Sequence, residues 1–162
     1  MKKEHDAYWT SARKQQAKAA GLTPDEAYIL ASIVEQESAN EGERPMIAGM
    51  YLNRLHQGMK LQADPTVKYA LGDFALRRIM INHLSVNSPY NTYRNVGLPI
   101  GLYVYHRSMP YSRCSTTHTT TIYNMCAKED FSGTHNFAAT YEEHTANAKR
   151  YAEALNKRGI AK

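Results

Sequence analysis

The stretch Leu22–Gly42, LTPDEAYILASIVEQESANEG, carries the clearest structural signal in the chain. Thr23 is a favoured N-cap residue, and Pro24 suits the first helical position because its missing N–H would have no partner there. Glu26 completes a Thr-x-x-Glu capping box. The spacing predicts a helix that begins at Pro24 and continues through the apolar run that follows.

One face of this predicted helix is apolar and ends in a carboxylate. Leu30, Ile33 and Val34 follow the i, i+3, i+4 rule. Glu37 takes the i+7 position of the same stripe. Residues two apart do not share a helix face, so Glu35 must point in another direction. Glu37 is therefore the carboxylate predicted to face the core.

A carboxylate on a core-facing stripe is costly as an anion unless hydrogen bonds or a countercharge replace the lost water. We expect burial to raise the pKa of Glu37 above its ordinary value of about 4.3, towards a range where it can donate a proton near neutral pH. Alternatively, Glu37 lies in the last turn and reaches solvent, or pairs with Arg44 or Arg54. The pattern alone leaves both interpretations open.

Two further helices flank this one in the sequence. Residues Ala7–Ala20 favour a short lead-in helix, which Gly21 ends. The segment 43–58, ERPMIAGMYLNRLHQG, predicts a second helix whose apolar stripe contains Ile47, Met50, Tyr51 and Leu55 and which Gly58 ends. Its other face carries Asn53 and Arg54, which either are solvated or line a groove beside Glu37.

The middle of the chain is less regular. Asp64 and Pro65 favour an extended or turn conformation, and the residues after them a short helix or strand. Residues 74–84, FALRRIMINHL, have helical periodicity. The next segment, 85–99, is rich in turn-forming residues and carries Tyr90 and Tyr93, which is typical of a sugar-binding loop on a rigid scaffold.

The C-terminal part predicts a hairpin followed by a helix. Residues 124–139 read as two short strands around a Ser-Gly turn. Thr140 and Glu143 form a second capping box, and Gly159 ends the helix that follows. Helices combined with a small antiparallel element indicate a single α+β domain.

Composition excludes several classes of protein. The chain has 162 residues, 43% of them hydrophobic and 22% charged, with a net charge of +5, which indicates one globular domain. Lysine and arginine are dispersed, so nucleic acid is not the predicted partner, whereas an acidic polymer such as bacterial cell wall fits the charge. The cysteines and histidines lack metal-site spacing, and no apolar run is long enough to span a membrane. We predict no metal and no cofactor.

Six motifs, in the order ASIVEQES, NRL, GMKLQADPTVKYALG, SPYNTY, GLP and GTHNFA, resemble the YceG-like family of endolytic murein transglycosylases, in a version similar to those of Bacteroidetes. The resemblance covers about Gly21 to Gly159, so that 1–20 is a lead-in helix and 21–162 the YceG-like catalytic domain. It implies a lytic transglycosylase that cleaves the MurNAc–GlcNAc bond of peptidoglycan without water and leaves 1,6-anhydromuramyl ends.

The resemblance also implies roles for individual residues. The family's catalytic glutamate is the second of its Glu-x-Glu motif, which is Glu37 here, and helix geometry selects the same residue. Eight residues at family motif positions are candidates for the substrate groove: Glu35, Asn53, Arg54, Gln62, Asp64, Tyr90, Asn91 and Tyr93. Glu35 is best interpreted as a supporting residue or a salt-bridge partner, and turn hydrogen bonds would explain Asp64 and Asn91 equally well.

Two departures from the family stand out. Family members carry an N-terminal membrane helix and a LysM-like domain, so this chain looks like a fragment of a protein anchored at the periplasmic face of the inner membrane, with cell-wall synthases as partners. Residues 102–124 also depart from the family pattern, and we hypothesise that they are a frame-shifted translation that Met125 restores to frame. Cys114, His106 and His118 would then have no functional meaning.

Two other functions compete with the enzyme. One is an inactive peptidoglycan-binding or scaffold module that keeps the groove but has lost turnover through the altered segment. The other is a basic nucleic-acid-binding domain, which a steep salt dependence of DNA affinity would favour.

Overall fold

A computed structural model of the chain describes residues 8–76, 78–101 and 121–160. In this part of the chain the α-helices are α1 (Ser11–Ala19), α2 (Pro24–Glu37), α3 (Arg44–His56), α4 (Asp64–Leu71) and α5 (Tyr141–Lys157). The strands are β1 (Asn124–Ala127) and β2 (His135–Ala138), and a single 3₁₀ turn spans His83–Ser85. The predicted α+β class is confirmed.

Helix α2 begins as the capping box predicts. The side chain of Thr23 accepts a hydrogen bond of 3.2 Å from the Glu26 N–H, and Glu26 Oε2 accepts one of 2.8 Å from the Thr23 N–H. The predicted stripe is buried, since Ile33 and Val34 are both 0% exposed. Local capping and the apolar stripe together set the position of the helix.

Helices α2 and α3 form the main core, with the segment that leads into α4 packed beside them. Ile47, Met50 and Tyr51 of α3 are each at most 1% exposed, and they meet Ile33 and Leu61 in one cluster. Burying a side chain of this size stabilises the fold by roughly 1.5–3 kcal/mol relative to leaving it exposed. The cleft described below is built on this rigid base.

The lead-in segment packs against α2 through a second, smaller cluster of Trp9, Ala17 and Ala27. Its helix begins at Ser11, because the side chain of Thr10 caps it by accepting a hydrogen bond from the Arg13 N–H. The predicted start at Ala7 lies outside the described residues.

The C-terminal half contains the hairpin and α5. The strands pair antiparallel with Met125 opposite Phe137, and the predicted strands are confirmed. Both bonds of the Thr140–Glu143 capping box are present at the start of α5. Helix α5 packs against the hairpin.

Two local predictions were wrong. Asp64 and Pro65 open α4 instead of forming a turn, because proline is tolerated in the first helical turn, and only Ala63 before them is extended. The described residues of 74–84 form turns and no α-helix. Phe74 and Ile81 are 61% and 87% exposed, so the described residues bury little of this apolar face, and packing provides most helix stability in proteins.

Residues 102–120, most of the segment interpreted as frame-shifted, lie outside the described residues, as do Cys114, His106 and His118. None of the helices in the described residues is both long and apolar enough to cross a bilayer.

Candidate active site

A cleft of about 340 Å³ opens between the C-terminal end of α2, helices α3 to α5 and the hairpin. Its apolar floor comes from the core side of α3 and from α5. The described polar side chains that line it include Glu37, Tyr51, Arg54, Gln62, Asp64, Lys68, Arg78, Tyr93, His135 and Tyr151. Concave sites with a few convergent polar groups on an apolar base are the usual location of catalysis.

Glu37 is the last residue of α2 and is largely withdrawn from solvent. The hydroxyl of Tyr51 donates a hydrogen bond of 2.5 Å to Glu37 Oε1. Tyr51 belongs to the α3 stripe and is 1% exposed, so its ring is held by the core. The core therefore fixes the orientation of the carboxyl group of Glu37.

Burial raises the pKa of Glu37 from its ordinary value of 4.5 to about 7. The hydrogen bond from Tyr51 opposes this shift, and the nearby Asp64 carboxylate adds to it. The positive charges of Lys68 and Arg54 also oppose it. The predicted rise of this pKa is confirmed. A carboxyl group with a pKa near 7 can serve as either acid or base at neutral pH.

Among the described residues, Glu37 pairs with neither Arg44 nor Arg54. Arg44 donates from Nε to the Ser38 carbonyl, and its Nη1 lies 4.0 Å from Glu41 Oε1. Arg54 donates to carbonyl and amide oxygens instead of to Glu37. Among the described residues, the bond from Tyr51 is the hydrogen bond that holds the Glu37 carboxyl group.

A second carboxylate, Asp64, lies in the same cleft at the start of α4. The hydroxyl of Tyr93 donates a hydrogen bond of 2.6 Å to Asp64 Oδ1. Burial raises the pKa of Asp64, while the bond from Tyr93 and the charge of Lys68 oppose the rise. Burial and the Asp64 carboxylate raise the pKa of Tyr93, so its hydroxyl keeps its proton and acts as a donor.

Arg54 forms part of the cleft wall and is only 7% exposed, so the interpretation of a solvated face is wrong for this residue. Its Nε donates to the Tyr123 carbonyl at 2.6 Å, and Nη1 to the Leu61 carbonyl at 2.7 Å. Its Nη2 donates to Asn124 Oδ1 at 3.1 Å. The guanidinium thus ties α3 to the chain that enters β1.

Asn53 serves the same junction, because its Nδ2 donates to the Ile122 carbonyl at 2.9 Å. Gln62 faces the cleft from a left-handed backbone conformation with φ of 53°. Its N–H donates to the Thr92 carbonyl, which joins it to the polar loop 85–99. Non-glycine residues in this conformation are strained and cluster at functional sites.

Four predicted groove residues lie outside the lining of the cleft as the described residues form it: Glu35, Asn53, Tyr90 and Asn91. Asn91 is fully buried, and its Nδ2 donates to the carbonyls of Leu84 and Val86 at 2.9 Å each. Its Oδ1 accepts from the Tyr93 N–H. Asn91 therefore shapes the loop that carries Tyr93. The rings of Tyr90 and Tyr69 are in contact, with centroids 4.7 Å apart and planes tilted by 54°.

Sequence analysis missed several residues of the cleft, among them Arg78 and Tyr151. Tyr51 was predicted only as a core residue, and Lys68 was not singled out although it follows Asp64 by one helical turn. His135 also lines the cleft. Its backbone N–H and Nδ1 contact Glu43 Oε1 and Oε2 at 2.9 Å and 3.1 Å. The GTHNFA motif was the available signal for His135.

Comparison with known proteins identifies a family whose model matches this chain. The model of the YceG-like family matches residues 1–150. The endolytic murein transglycosylase of Bacillus subtilis (strain 168) is 30% identical over 158 residues, which are 98% of this chain and 43% of that protein. The endolytic murein transglycosylase of Streptococcus pneumoniae serotype 2 (strain D39 / NCTC 7466) is 39% identical over 88 residues, which are 52% of this chain and 16% of that protein.

A solved structure is also similar. The crystal structure of a yceG-like protein from Listeria monocytogenes superposes with a TM-score of 0.73 at 31% identity. The match covers 84% of this chain and 44% of that one. The chain thus spans less than half the length of these relatives.

Proposed function

This chain belongs to the YceG-like family, and from that premise we propose that it is the catalytic part of an endolytic lytic transglycosylase. Its substrate is the glycan strand of peptidoglycan, cut between N-acetylmuramic acid and N-acetylglucosamine. The observation that carries the proposal is Glu37, whose buried carboxyl group has a pKa of about 7 in a polar cleft. The names of the curated relatives support it.

In the proposed reaction Glu37 acts first as an acid and then as a base. Its proton passes to the glycosidic O4 while the C1–O4 bond breaks. The C6 hydroxyl of the same muramic acid then forms the C1–O6 bond and returns its proton to Glu37. Atoms balance without water, and the product carries a 1,6-anhydromuramyl end.

One carboxyl group is enough for this chemistry. Glycosidases of the two-carboxylate type need a base or nucleophile as well as an acid, but substrate-assisted enzymes are exceptions. Here the N-acetyl group of the muramic acid stabilises the cationic centre at C1. Asp64 is then not needed as a second catalytic carboxylate. Its hydrogen bond from Tyr93 supports a role in fixing the shape of the groove and in giving it negative charge.

The other candidate residues divide by position. We propose that Gln62, Asp64 and Tyr93 contact the glycan, because their side chains line the cleft. Arg54 and Asn53 hold the wall of the cleft through carbonyl groups. For Glu35, Tyr90 and Asn91 a role in substrate binding stays a prediction.

The proposed substrate places the protein in the cell envelope. We propose that the complete protein works at the periplasmic face of the inner membrane beside cell-wall synthases.

Digestion of purified sacculi tests the proposal, with products analysed by mass spectrometry. The chain should release anhydromuramyl fragments, and Glu37→Gln should lower the rate by at least about 100-fold because it removes the transferable proton. Glu153→Gln is the matched control, since it makes the same chemical change at an exposed position on α5, outside the lining of the cleft. Binding of sacculi without any release would identify a binding module, and products one water heavier would identify a hydrolase.

The segment 102–124 needs its own control. Sequencing of the encoding DNA should show codons that spell the family segment in the neighbouring frame, and codons unable to do so would end the frameshift hypothesis. If the chain releases nothing, the repaired segment should restore release. Failure of the repaired chain would count against the enzyme.

A further inference from the structure

Lys68 is a cation in the cleft that the proposed reaction does not use. It follows Asp64 by one turn on α4, so both side chains lie on the same face of that helix. The Asp64 carboxylate is instead engaged by the Tyr93 hydroxyl at 2.6 Å. Within the part of the chain that the structure describes, the ammonium group of Lys68 forms no hydrogen bond or ion pair.

The charge of the neighbouring Arg54 is also not neutralised by contact. Its guanidinium donates to the carbonyl groups of Leu61 and Tyr123 and to the amide oxygen of Asn124, all uncharged acceptors. These bonds satisfy its N–H groups, but because the acceptors are uncharged, they do not neutralise its positive charge in the wall of the cleft. Carbonyl partners therefore position this cation without cancelling its field.

Cations outnumber carboxylates around the cleft. Among the described lining residues the cations are Arg54, Lys68 and Arg78, and the carboxylates are Glu37 and Asp64. When Glu37 holds the proton that it needs as an acid, a single carboxylate faces three cations. Such a cleft attracts anionic ligands and concentrates them near Glu37.

We propose that Lys68 binds a carboxylate carried by the C3 substituent of muramic acid, so that the cleft selects acidic glycans over neutral ones. This inference rests on the proposed function. N-acetylglucosamine polymers have the same backbone linkage but no carboxylate. In peptidoglycan the carboxylate comes from the lactyl group where the peptide is absent, or from the stem peptide where it is present. A lysine ammonium suits both sources because it is a compact point charge on a flexible stem.

Binding measurements in the Glu37→Gln background test the inference, because that variant holds glycans without cutting them. The probes are strands freed of peptide, strands with stem peptides, and a neutral N-acetylglucosamine hexamer. Lys68→Gln should raise the Kd for the carboxylate-bearing strands about tenfold to 100-fold, as expected for loss of one charge-assisted hydrogen bond. The Kd for the neutral hexamer should not change.

Two controls complete the design. Lys149→Gln removes the same charge from an exposed position on α5 and should leave every Kd unchanged. Lys68→Arg keeps the charge and should retain the preference for acidic strands. If Lys68→Gln weakens binding only of strands freed of peptide, the carboxylate is that of the lactyl group. If it weakens binding only of strands with stem peptides, the carboxylate belongs to the peptide.

The inference fails if Lys68→Gln changes no Kd, or changes all three equally. In that case sacculus digestion by the unmodified chain would still establish the transglycosylase. If the chain binds no strand and releases no anhydromuramyl fragment, the proposed function itself fails, and the inference with it.

Discussion

Tyr51 and Glu37, fourteen residues apart on neighbouring helices, meet through a hydrogen bond of 2.5 Å in which the tyrosine hydroxyl donates to Oε1. Burial of Glu37 pushes its pKa up, and this bond holds it down, because a donor stabilises the anion. The pKa of about 7 is the balance of these two effects, with Asp64 as a further contribution. Acid and base roles in one catalytic cycle require such a balance.

Tyr51→Phe should shift the alkaline limb of the pH–rate profile to higher pH. The variant loses the donor that lowers the pKa of Glu37, so the proton stays on to higher pH. It should also reduce kcat about tenfold at pH 6, because the carboxyl group loses its fixed orientation. Phenylalanine fills the same buried space, so the fold is kept. The profile is measured as kcat/KM for release of anhydromuramyl fragments.

Tyr141→Phe is the control for this change, since Tyr141 is 77% exposed and lies outside the lining of the cleft. If Tyr51→Phe leaves both the alkaline limb of the pH–rate profile and kcat unchanged, the hydrogen bond between Tyr51 and Glu37 has no part in the reaction.

Asp64→Asn should shift the same limb in the opposite direction. It removes a negative charge that raises the pKa of Glu37, so Glu37 loses its proton at lower pH. Asparagine keeps an oxygen that can accept the hydrogen bond of Tyr93, so the loop should stay in place. The ratio of activity at pH 8 to activity at pH 6 should therefore fall.

Asp73→Asn, an exposed aspartate after α4, makes the matched change outside the cleft and should leave that ratio unchanged. A limb that moves to higher pH in Asp64→Asn would contradict the charge interaction between the two carboxylates.

Local signals explain which parts of the molecule could be predicted from sequence. The capping boxes at Thr23 and Thr140 involve residues three apart, and both form as expected. The stripe that ends in Glu37 needs only the helical period. Burial of that stripe then follows, and with it the direction of the pKa shift.

Tertiary contacts explain what could not be predicted. The partners of Arg54 lie as far as seventy positions along the chain, and no local pattern marks them. Tyr51 satisfies the core pattern of α3, and its hydroxyl acquires a role only because α2 lies beside it. The periodicity around Phe74 failed for the same reason, since the described residues bury little of that face.

Arg54→Met should destabilise the fold by about 3 kcal/mol, because it leaves buried carbonyl groups without a donor. Arg54→Lys should recover little of this stability. One ammonium group cannot reach both the Leu61 carbonyl, in the segment after α3, and the Tyr123 carbonyl, in the chain that enters β1. Urea denaturation with an unchanged m-value measures the loss.

Arg94→Met is the control for Arg54. Arg94 is exposed and donates one hydrogen bond, to the Ser85 carbonyl, so its replacement should change stability by no more than about 0.5 kcal/mol. Equal losses of unfolding free energy in the two variants would show that the buried hydrogen bonds of Arg54 add nothing to the stability of the fold.

Glu37→Gln should stabilise the chain at alkaline pH. The folded protein holds the Glu37 proton up to a pKa of about 7, whereas the unfolded chain releases it near 4.5. Between these values the folded state binds more protons than the unfolded state, so stability falls as pH rises. A pKa moved from 4.5 to about 7 corresponds to about 3 kcal/mol, lost by the time the pH exceeds 7.

Glutamine carries no such charge at any pH and still offers an oxygen to Tyr51. The free energies of unfolding of the two proteins should therefore agree at pH 4 and diverge as pH rises, with the variant more stable at pH 8 by up to about 3 kcal/mol. Other titrating groups cancel in this difference because both proteins contain them. A difference that stays constant from pH 4 to pH 8 would mean that Glu37 has the same pKa in the folded and unfolded chains. Such a residue would not be the buried proton donor on which the proposed reaction depends.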